Sequence, residues 1–347
     1  MAEATYRAAI VGLGFVGAGD QVSGDALGQQ VRYLDGTHLE ALSRHRRVEV
    51  VAGSSRDPGR RERFARRTGA RTYASWAQLL EREALEIVSV ATYTPAHAEI
   101  TVACAGAGVR AVYCEKPIAS RLADAERMVA ACRDAGSLLV VNHNRRFHPN
   151  YRRLAGFIAR GGLGQLTSVS LLWGSGRLGN VGTHLFDAAC MLTGRHVRVV
   201  SGTLDLSGRP DCRGAQFRDP GGWGLMRLDG GLMVTVDAAD YAAMPLCISI
   251  HGTEGRAVTG RHDVAVEFQD GRREYWAAPD AGRSSMDQAV EEIVGWLDGA
   301  GAFPYPADEA VHVLEAIVAF HASHARGAAW TELPLRGADR EIEVRSG

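Results

Sequence analysis

Apolar residues come in short blocks over the first 140 positions of the chain. Residues 8–13, 48–53, 84–92, 108–115 and 137–142 are β-rich apolar runs, and 60–69, 95–107 and 122–135 between them carry helical spacing. Strands alternating with helices predict a parallel sheet covered on both faces. The pattern then changes. A helical segment at 151–160 is followed by β-rich stretches at 166–173, 197–206, 222–229, 232–239, 246–252, 257–268 and 273–277. Turns are marked by Asp229-Gly230-Gly231 and Asp270-Gly271. Strands in series without intervening helices predict a largely antiparallel sheet, and helical stretches at 286–297 and 308–325 follow it.

Composition narrows the function classes. At 347 residues the chain is long enough for two domains. It is 46% hydrophobic and 23% charged, as soluble globular proteins are, and its formal charge of −1 gives no electrostatic case for nucleic acid or an anionic membrane. No apolar run reaches the length of a membrane span, and residues 1–7 lead into a strand without a signal-like region. Six cysteines show neither C-x-x-C pairing nor zinc-ligand spacing with histidine. The expectation is a cytoplasmic protein with reduced thiols and no bound metal.

Directly after the first strand stands Gly12-Leu13-Gly14-Phe15-Val16-Gly17. This G-x-G-x-x-G spacing fits a Rossmann fingerprint: a glycine for the tight turn, one for approach of a pyrophosphate, one for close helix–strand contact. The fold class is therefore α/β, an N-terminal Rossmann domain (residues 1–143) followed by an α+β domain (144–347) whose last segment is able to pack back on the first. Residues 18–36 intervene before the next helical run at 37–44, as an insertion beside the cofactor or substrate, or as a plain surface loop. The second strand ends in Gly53-Ser54-Ser55-Arg56-Asp57. NAD usually calls for an acidic residue there and NADP for small and cationic ones. Ser55 and Arg56 suit a 2′-phosphate, with Arg60 or Arg61 as further cations, and Asp57 reads as a turn residue before Pro58. The cofactor is NADP or NAD, with NADP preferred.

Rare residues point to the chemistry. Of 39 basic residues all but one are arginine, and the exception is Lys116, in Glu115-Lys116-Pro117. An ammonium shifts its pKa toward neutrality when buried, which a guanidinium does not, so Lys116 is a candidate for proton transfer. The four asparagines, Asn142, Asn144, Asn150 and Asn180, also fall in one short part of the chain.

With the fingerprint, Thr94-Pro95-Ala96-His97, Glu115-Lys116-Pro117 and Gly182-Thr183-His184-Leu185-Phe186-Asp187, the chain resembles the Gfo/Idh/MocA oxidoreductases, which include glucose–fructose oxidoreductase and inositol dehydrogenase. The resemblance runs to Gly252-Thr253-Glu254-Gly255 and Leu333-Pro334-Leu335. It implies an open-faced C-terminal sheet used for oligomerisation, hence a homodimer or homotetramer, and a nicotinamide in the cleft between domains. It implies an NAD(P)-dependent dehydrogenase acting on a secondary hydroxyl of a sugar, glycoside or cyclitol, or in reverse on the ketone. Gly12, Gly14, Phe15, Val16, Gly17, Ser55, Arg56, Thr92, Thr94, Pro95, His97, Glu115 and Lys116 would face the cofactor, and the Lys-Pro bond is often cis.

Lys116 and His184 are the implied proton-transfer pair. The family carries an aspartate four residues before the histidine; here Asn180 stands there, able to orient an imidazole or hold a substrate hydroxyl but not to stabilise an imidazolium by charge. Asp187 either replaces that charge or is structural. Asn144 and Arg146 are placed on the substrate or nicotinamide side or at a hinge, and Trp173 at the sugar pocket or in the core. Two other readings keep the fold: a glycosidase that uses bound NAD with no net redox change, and a non-enzymatic cofactor-binding regulator.

Overall fold

The computed structural model describes residues 5–22, 36–207, 214, 216–239, 245–260, 262–279 and 282–346. They pack as two compact units, Met1–Asn144 with Gly282–Asp308 and Arg145–Ala281 with Glu309–Gly347. Most of the 18–36 stretch, residues 23–35, lies outside the described residues.

In the first unit, β1 (Tyr6–Val11) leads through the glycine turn into α1 (Phe15–Ala18), a single turn closed by Gly19 at φ +68°. After the undescribed stretch come α2 (His38–Arg44), β2 (Val48–Ser54), α3 (Pro58–Thr68), β3 (Arg71–Tyr73), α4 (Trp76–Arg82) and β4 (Ile87–Val90). Then follow α5 (His97–Gly106), β5 (Ala111–Cys114), α6 (Leu122–Asp134) and β6 (Leu138–Val141). All six strands are parallel, in the order β3-β2-β1-β4-β5-β6. That is the doubly wound dinucleotide-binding order, with its reversal between β1 and β4. The strands read as continuous apolar runs because both faces are covered; every residue of β4 and β5 is buried.

Helix α2 starts sharply for a local reason. Thr37 accepts from the Glu40 amide while Glu40 accepts from the Thr37 amide, so two orphan donors are satisfied reciprocally.

The second unit opens with α7 (Pro149–Ala159), β7 (Leu166–Leu172), a π-helical turn at Leu178–Gly182 and α8 (Thr183–Thr193). Its other strands are β8 (Val197–Asp205), β9 (Gly221–Leu228), β10 (Met233–Ala238), β11 (Cys247–Gly252), β12 (Gly255–Thr259), β13 (Val264–Phe268), β14 (Arg273–Trp276) and β15 (Thr331–Glu332). Together they form a nine-stranded sheet, β14-β13-β12-β11-β7-β10-β9-β8-β15, antiparallel except where β10 meets β7. The run read as one strand at 257–268 is two, paired antiparallel as β12 and β13.

Of the last helices, α9 (Ser285–Leu297) belongs to the first unit, where Asp287 meets Arg44 at 3.1 Å, and α10 (Asp308–Ala325) to the second. Helix α10 covers one sheet face so closely that a Cβ on Gly202 would lie 2.4 Å from the Phe320 ring. The other face alternates outward, with Trp223 and Leu225 of β9 exposed.

Candidate active site

The phosphate turn follows β1. Gly12 has φ +101°, and a Cβ there would lie 2.3 Å from the Ala91 carbonyl oxygen. A Cβ on Gly17 would lie 1.9 Å from the Gly12 oxygen. Both glycines are thus required by backbone approach, one across the β1–β4 reversal and one between turn and helix. Gly14, Phe15 and Val16 lie between them, partly exposed, where peptide N–H groups at the first turn of α1 have no intrahelical acceptor. This cradle fits a dinucleotide pyrophosphate.

Among the described residues, no carboxylate stands at the end of β2 in the diol-binding position. Asp57 instead caps α3, accepting from the Arg60 amide at 3.0 Å, as the sequence indicated. Ser55 is half-buried and Arg56 exposed, and Arg61 braces this turn by donating to the Ser55 and Arg56 carbonyls at 2.6 and 3.0 Å. The Asp20 carboxylate accepts from Arg63 at 2.8 and 2.9 Å and stands 3.4 Å from Arg60. Arg67 donates to the Ala18 carbonyl. The stretch after α1 is therefore clasped to the arginines of α3, and Arg60, expected as a cofactor cation, shares a carboxylate.

Beyond β4 the turn holding Thr92, Thr94 and Pro95 is tied to the lysine loop by His97. Its two nitrogens stand 3.0 Å from the Pro117 and Thr92 carbonyl oxygens. Burial lowers the His97 pKa against the pull of those carbonyls. His97 is 1% exposed and its ring stands between the two carbonyls, able in its neutral form to donate to one of them, so the direct cofactor contact expected of it does not fit its burial. Thr94, 2% exposed, is likewise interior.

Lys116 follows β5, partly exposed, and its peptide bond to Pro117 is cis. Beside it the Glu115 carboxylate is buried, and one oxygen, Oε1, accepts from Asn142 Nδ2 at 2.6 Å and from His38 Nε2 at 2.9 Å. The amide oxygen of Asn142 accepts from the Tyr113 hydroxyl at 2.7 Å, and His38 Nδ1 pairs with the Ser89 hydroxyl. Burial alone would raise the Glu115 pKa. The His38 hydrogen bond and charge, the Lys116 charge and the Asn142 amide outweigh it and hold the carboxyl at about 2. An ionised carboxylate only accepts, so His38 Nε2 carries a hydrogen. Sequence reasoning missed His38, Ser89 and Tyr113. Asn142 had a signal in its rarity, and His38 only its place after a capping threonine.

Asn144, at the end of the first unit, has a buried Oδ1 with no hydrogen-bond partner among the described residues, as expected of a group that meets a ligand.

In the second unit His184 stands on the first turn of α8, partly exposed, and Asn180 lies in the π-turn before it. The amides of Gly179 and Asn180 both donate to the Asp219 carboxylate at 2.7 Å. Arg177 opens this turn at φ +57°, a strained conformation for a residue with a Cβ. Asp219 carried no motif and was also missed.

Three expected substrate contacts are placed elsewhere. Asp187 is fully buried and accepts from Arg146 at 2.7 and 2.8 Å. Arg146 is 7% exposed at its side chain and also reaches Glu309 at 3.4 Å. Burial would lower the Arg146 pKa, but Asp187 and Glu309 raise it. Trp173 is 1% exposed, and its indole N–H donates to the Gly176 carbonyl at 2.6 Å. All three side chains are buried with their partners inside the unit, which favours a structural role over the expected substrate contact.

Residues 6–143 match the family described as "Oxidoreductase family, NAD-binding Rossmann fold", and residues 165–258 match the "GFO/IDH/MocA C-terminal domain". A D-apiose dehydrogenase of Paraburkholderia graminis is 27% identical over 71% of this chain and 70% of its own. A putative UDP-kanosamine synthase oxidoreductase subunit of Amycolatopsis mediterranei is 29% identical over 76% of each. The fold is similar to that of the WlbA dehydrogenase of Bordetella pertussis solved with NADH and UDP-GlcNAcA, at a TM-score of 0.76 and 20% identity over 97% of this chain and 100% of that one.

Proposed function

Because this chain belongs to the Gfo/Idh/MocA oxidoreductases, NAD(P)-dependent enzymes acting on CH–OH groups, we propose that it oxidises a secondary hydroxyl of a sugar, glycoside or cyclitol, or reduces the matching ketone. The observation that carries this reading is the sole lysine of the chain, set after β5 next to a buried, ionised carboxylate. Bound NAD(P) supplies the hydride acceptor or donor. Lys116 Nζ takes the hydroxyl proton as the carbinol hydrogen departs, and as an ammonium it stabilises the oxyanion during ketone reduction. His184 shares that proton, and Asn180 holds a substrate hydroxyl or the imidazole. Asn144 Oδ1, with its capacity unspent, binds the nicotinamide carboxamide or a substrate hydroxyl.

The substrate class follows the relatives, one named for a free sugar, D-apiose, and one for a nucleotide-linked amino sugar, UDP-kanosamine. Ser55, exposed Arg56 and the absence of a carboxylate at the end of β2 support NADP as the preferred cofactor.

The test crosses NAD and NADP with free sugars, cyclitols, amino sugars and UDP-sugars, following nicotinamide absorbance and product mass. Stoichiometric reduced cofactor with a product two hydrogens lighter is expected. Lys116→Arg keeps the charge but cannot release a proton near neutrality, so kcat should fall on the order of 100-fold or more. Unchanged turnover in that variant would sink the assignment of Lys116, and glycoside cleavage without net reduced cofactor would replace the reaction class.

A further inference from the structure

Nothing in the fingerprint or the lysine motif calls for a histidine at position 38, yet its ring is one of the most completely enclosed polar groups in the first unit, at 0% exposure. It stands on the first residue of α2, just past the undescribed stretch, 77 residues from Glu115 in sequence. The capping box at Thr37 and Glu40 fixes where that helix begins, and so fixes the ring. Nε2 faces Glu115 Oε1, Nδ1 faces the Ser89 hydroxyl of β4, and the ring lies 4.7 Å from that of Tyr113 on β5. A polar ring so enclosed, with both nitrogens on polar partners, costs desolvation that a leucine of similar size would not.

We infer that His38 is a positioning residue for proton transfer at Lys116, acting through Glu115. The inference rests on the reading of Lys116 as the proton-transfer group. The carboxylate is the nearest fixed charge to the lysine along the chain, and its strength as a counter-ion depends on how fully donors occupy it. Oε1 receives one donor from Asn142 and one from His38. Each donor draws charge away from the lysine, so with both present the ammonium gives up its proton more readily than beside a bare carboxylate. The groups bonded to this carboxylate come from two packed elements, His38 from α2 and Asn142 after β6, with Tyr113 behind Asn142 and Ser89 behind His38. Lys116 is its neighbour in the chain, and the ammonium charge pulls the Glu115 pKa down. His97 braces the far side of the lysine loop through the Pro117 carbonyl. The device links the helix that resumes after the 18–36 stretch to the chemistry at β5.

The sole lysine makes the inference testable without a known substrate. Reductive methylation of the whole protein with 13C-formaldehyde labels Lys116 and the N-terminal amine alone, and the pH midpoint of the Lys116 resonance is read by NMR. His38→Leu removes one donor and should move the midpoint upward, seen also as about threefold slower acylation of Lys116 at fixed pH. Glu115→Gln removes the charge and should move it downward. His38→Gln, whose amide can donate from nearly the place of Nε2, should restore the wild-type value. Opposite shifts from two neighbouring variants are not what general loosening of the loop produces. If His38→Leu does not fold, His38→Asn, whose amide is too short to reach Glu115, takes its place and should also shift upward. A folded His38 variant with the wild-type midpoint would overturn the inference, as would shifts of one sign in both His38→Leu and Glu115→Gln. Turnover surviving Lys116→Arg while the midpoints move would fault the catalytic reading of the lysine alone, since the coupling is measured without turnover.

Discussion

Replacing Arg146 by methionine should destabilise the second unit more than any single surface change. The guanidinium is 7% exposed and lies 2.7 Å from the Asp187 carboxylate, which has no exposure at all. Removing one partner of such a pair leaves an uncompensated buried charge, a cost of about 3–5 kcal/mol. Glu309 adds less, because it is only partly buried and keeps His196 at 3.1 Å. For a unit of this size each kcal/mol is worth roughly 2–4 °C, so the melting transition should fall by roughly 6–20 °C. The double variant Arg146→Met with Asp187→Leu removes both charges and fills the space with apolar atoms, and it should recover most of the loss. Urea unfolding followed by tryptophan fluorescence is suited to this, since Trp173, Trp223, Trp276 and Trp330 are in the second unit and only Trp76 and Trp296 in the first. If Arg146→Met lost under about 1 kcal/mol, or the double variant were no better than the single, the pair would not be the buried, mutually compensating contact described here.

Two further outcomes follow from the first unit. Asp20→Asn releases Arg60 and Arg63 from their shared carboxylate, so NADP should bind about fivefold more tightly while NAD changes little, measured by calorimetric titration at low salt; equal effects on both cofactors would refute a role at the 2′-phosphate. Glu115 has its pKa depressed from 4.5 to about 2 in the folded protein, so it contributes stability above the unfolded value that is lost as pH falls between them. The melting-temperature gap between wild type and Glu115→Gln should therefore be full at pH 7, worth roughly 3 kcal/mol, and close progressively as pH falls from 4.5 to about 2; a gap independent of pH would contradict the ionised assignment.

Local pattern carried the parts of this molecule whose causes are local. The β–α alternation, the glycine turn and the strands in series of the second sheet are all written within a few residues of where they act. The three-residue edge strand β3 and the short helix α4 were not read, because neither is long enough to establish a period. Helix α9 was read as a helix, but its packing in the first unit rests on partners more than 180 residues away: Arg44 on Asp287, and Arg110 on the Leu297 carbonyl at 2.9 Å. The same holds for His38 and Glu115. Trp173, Arg146 and Asp187 show the converse, since a chemically capable side chain near a motif looks the same in sequence whether it faces a ligand or a buried partner.

Asn180 is where sequence and structure together explain more than either alone. Set against the family pattern it reads as a lost carboxylate beside His184. The structure supplies a carboxylate from a strand-side loop 39 residues later, with the two oxygens of Asp219 taking the amides of Gly179 and Asn180 at 2.7 Å each. Those amides belong to a π-turn that begins at Arg177 in a left-handed conformation, and the paired, charge-assisted bonds help offset that strain. An aspartate at 180 would add a second negative charge to a residue whose own backbone amide already donates to Asp219. A neutral asparagine adds no such charge. The substitution then fits how this loop is held, and the proton-transfer role proposed for Lys116 does not require a carboxylate at 180.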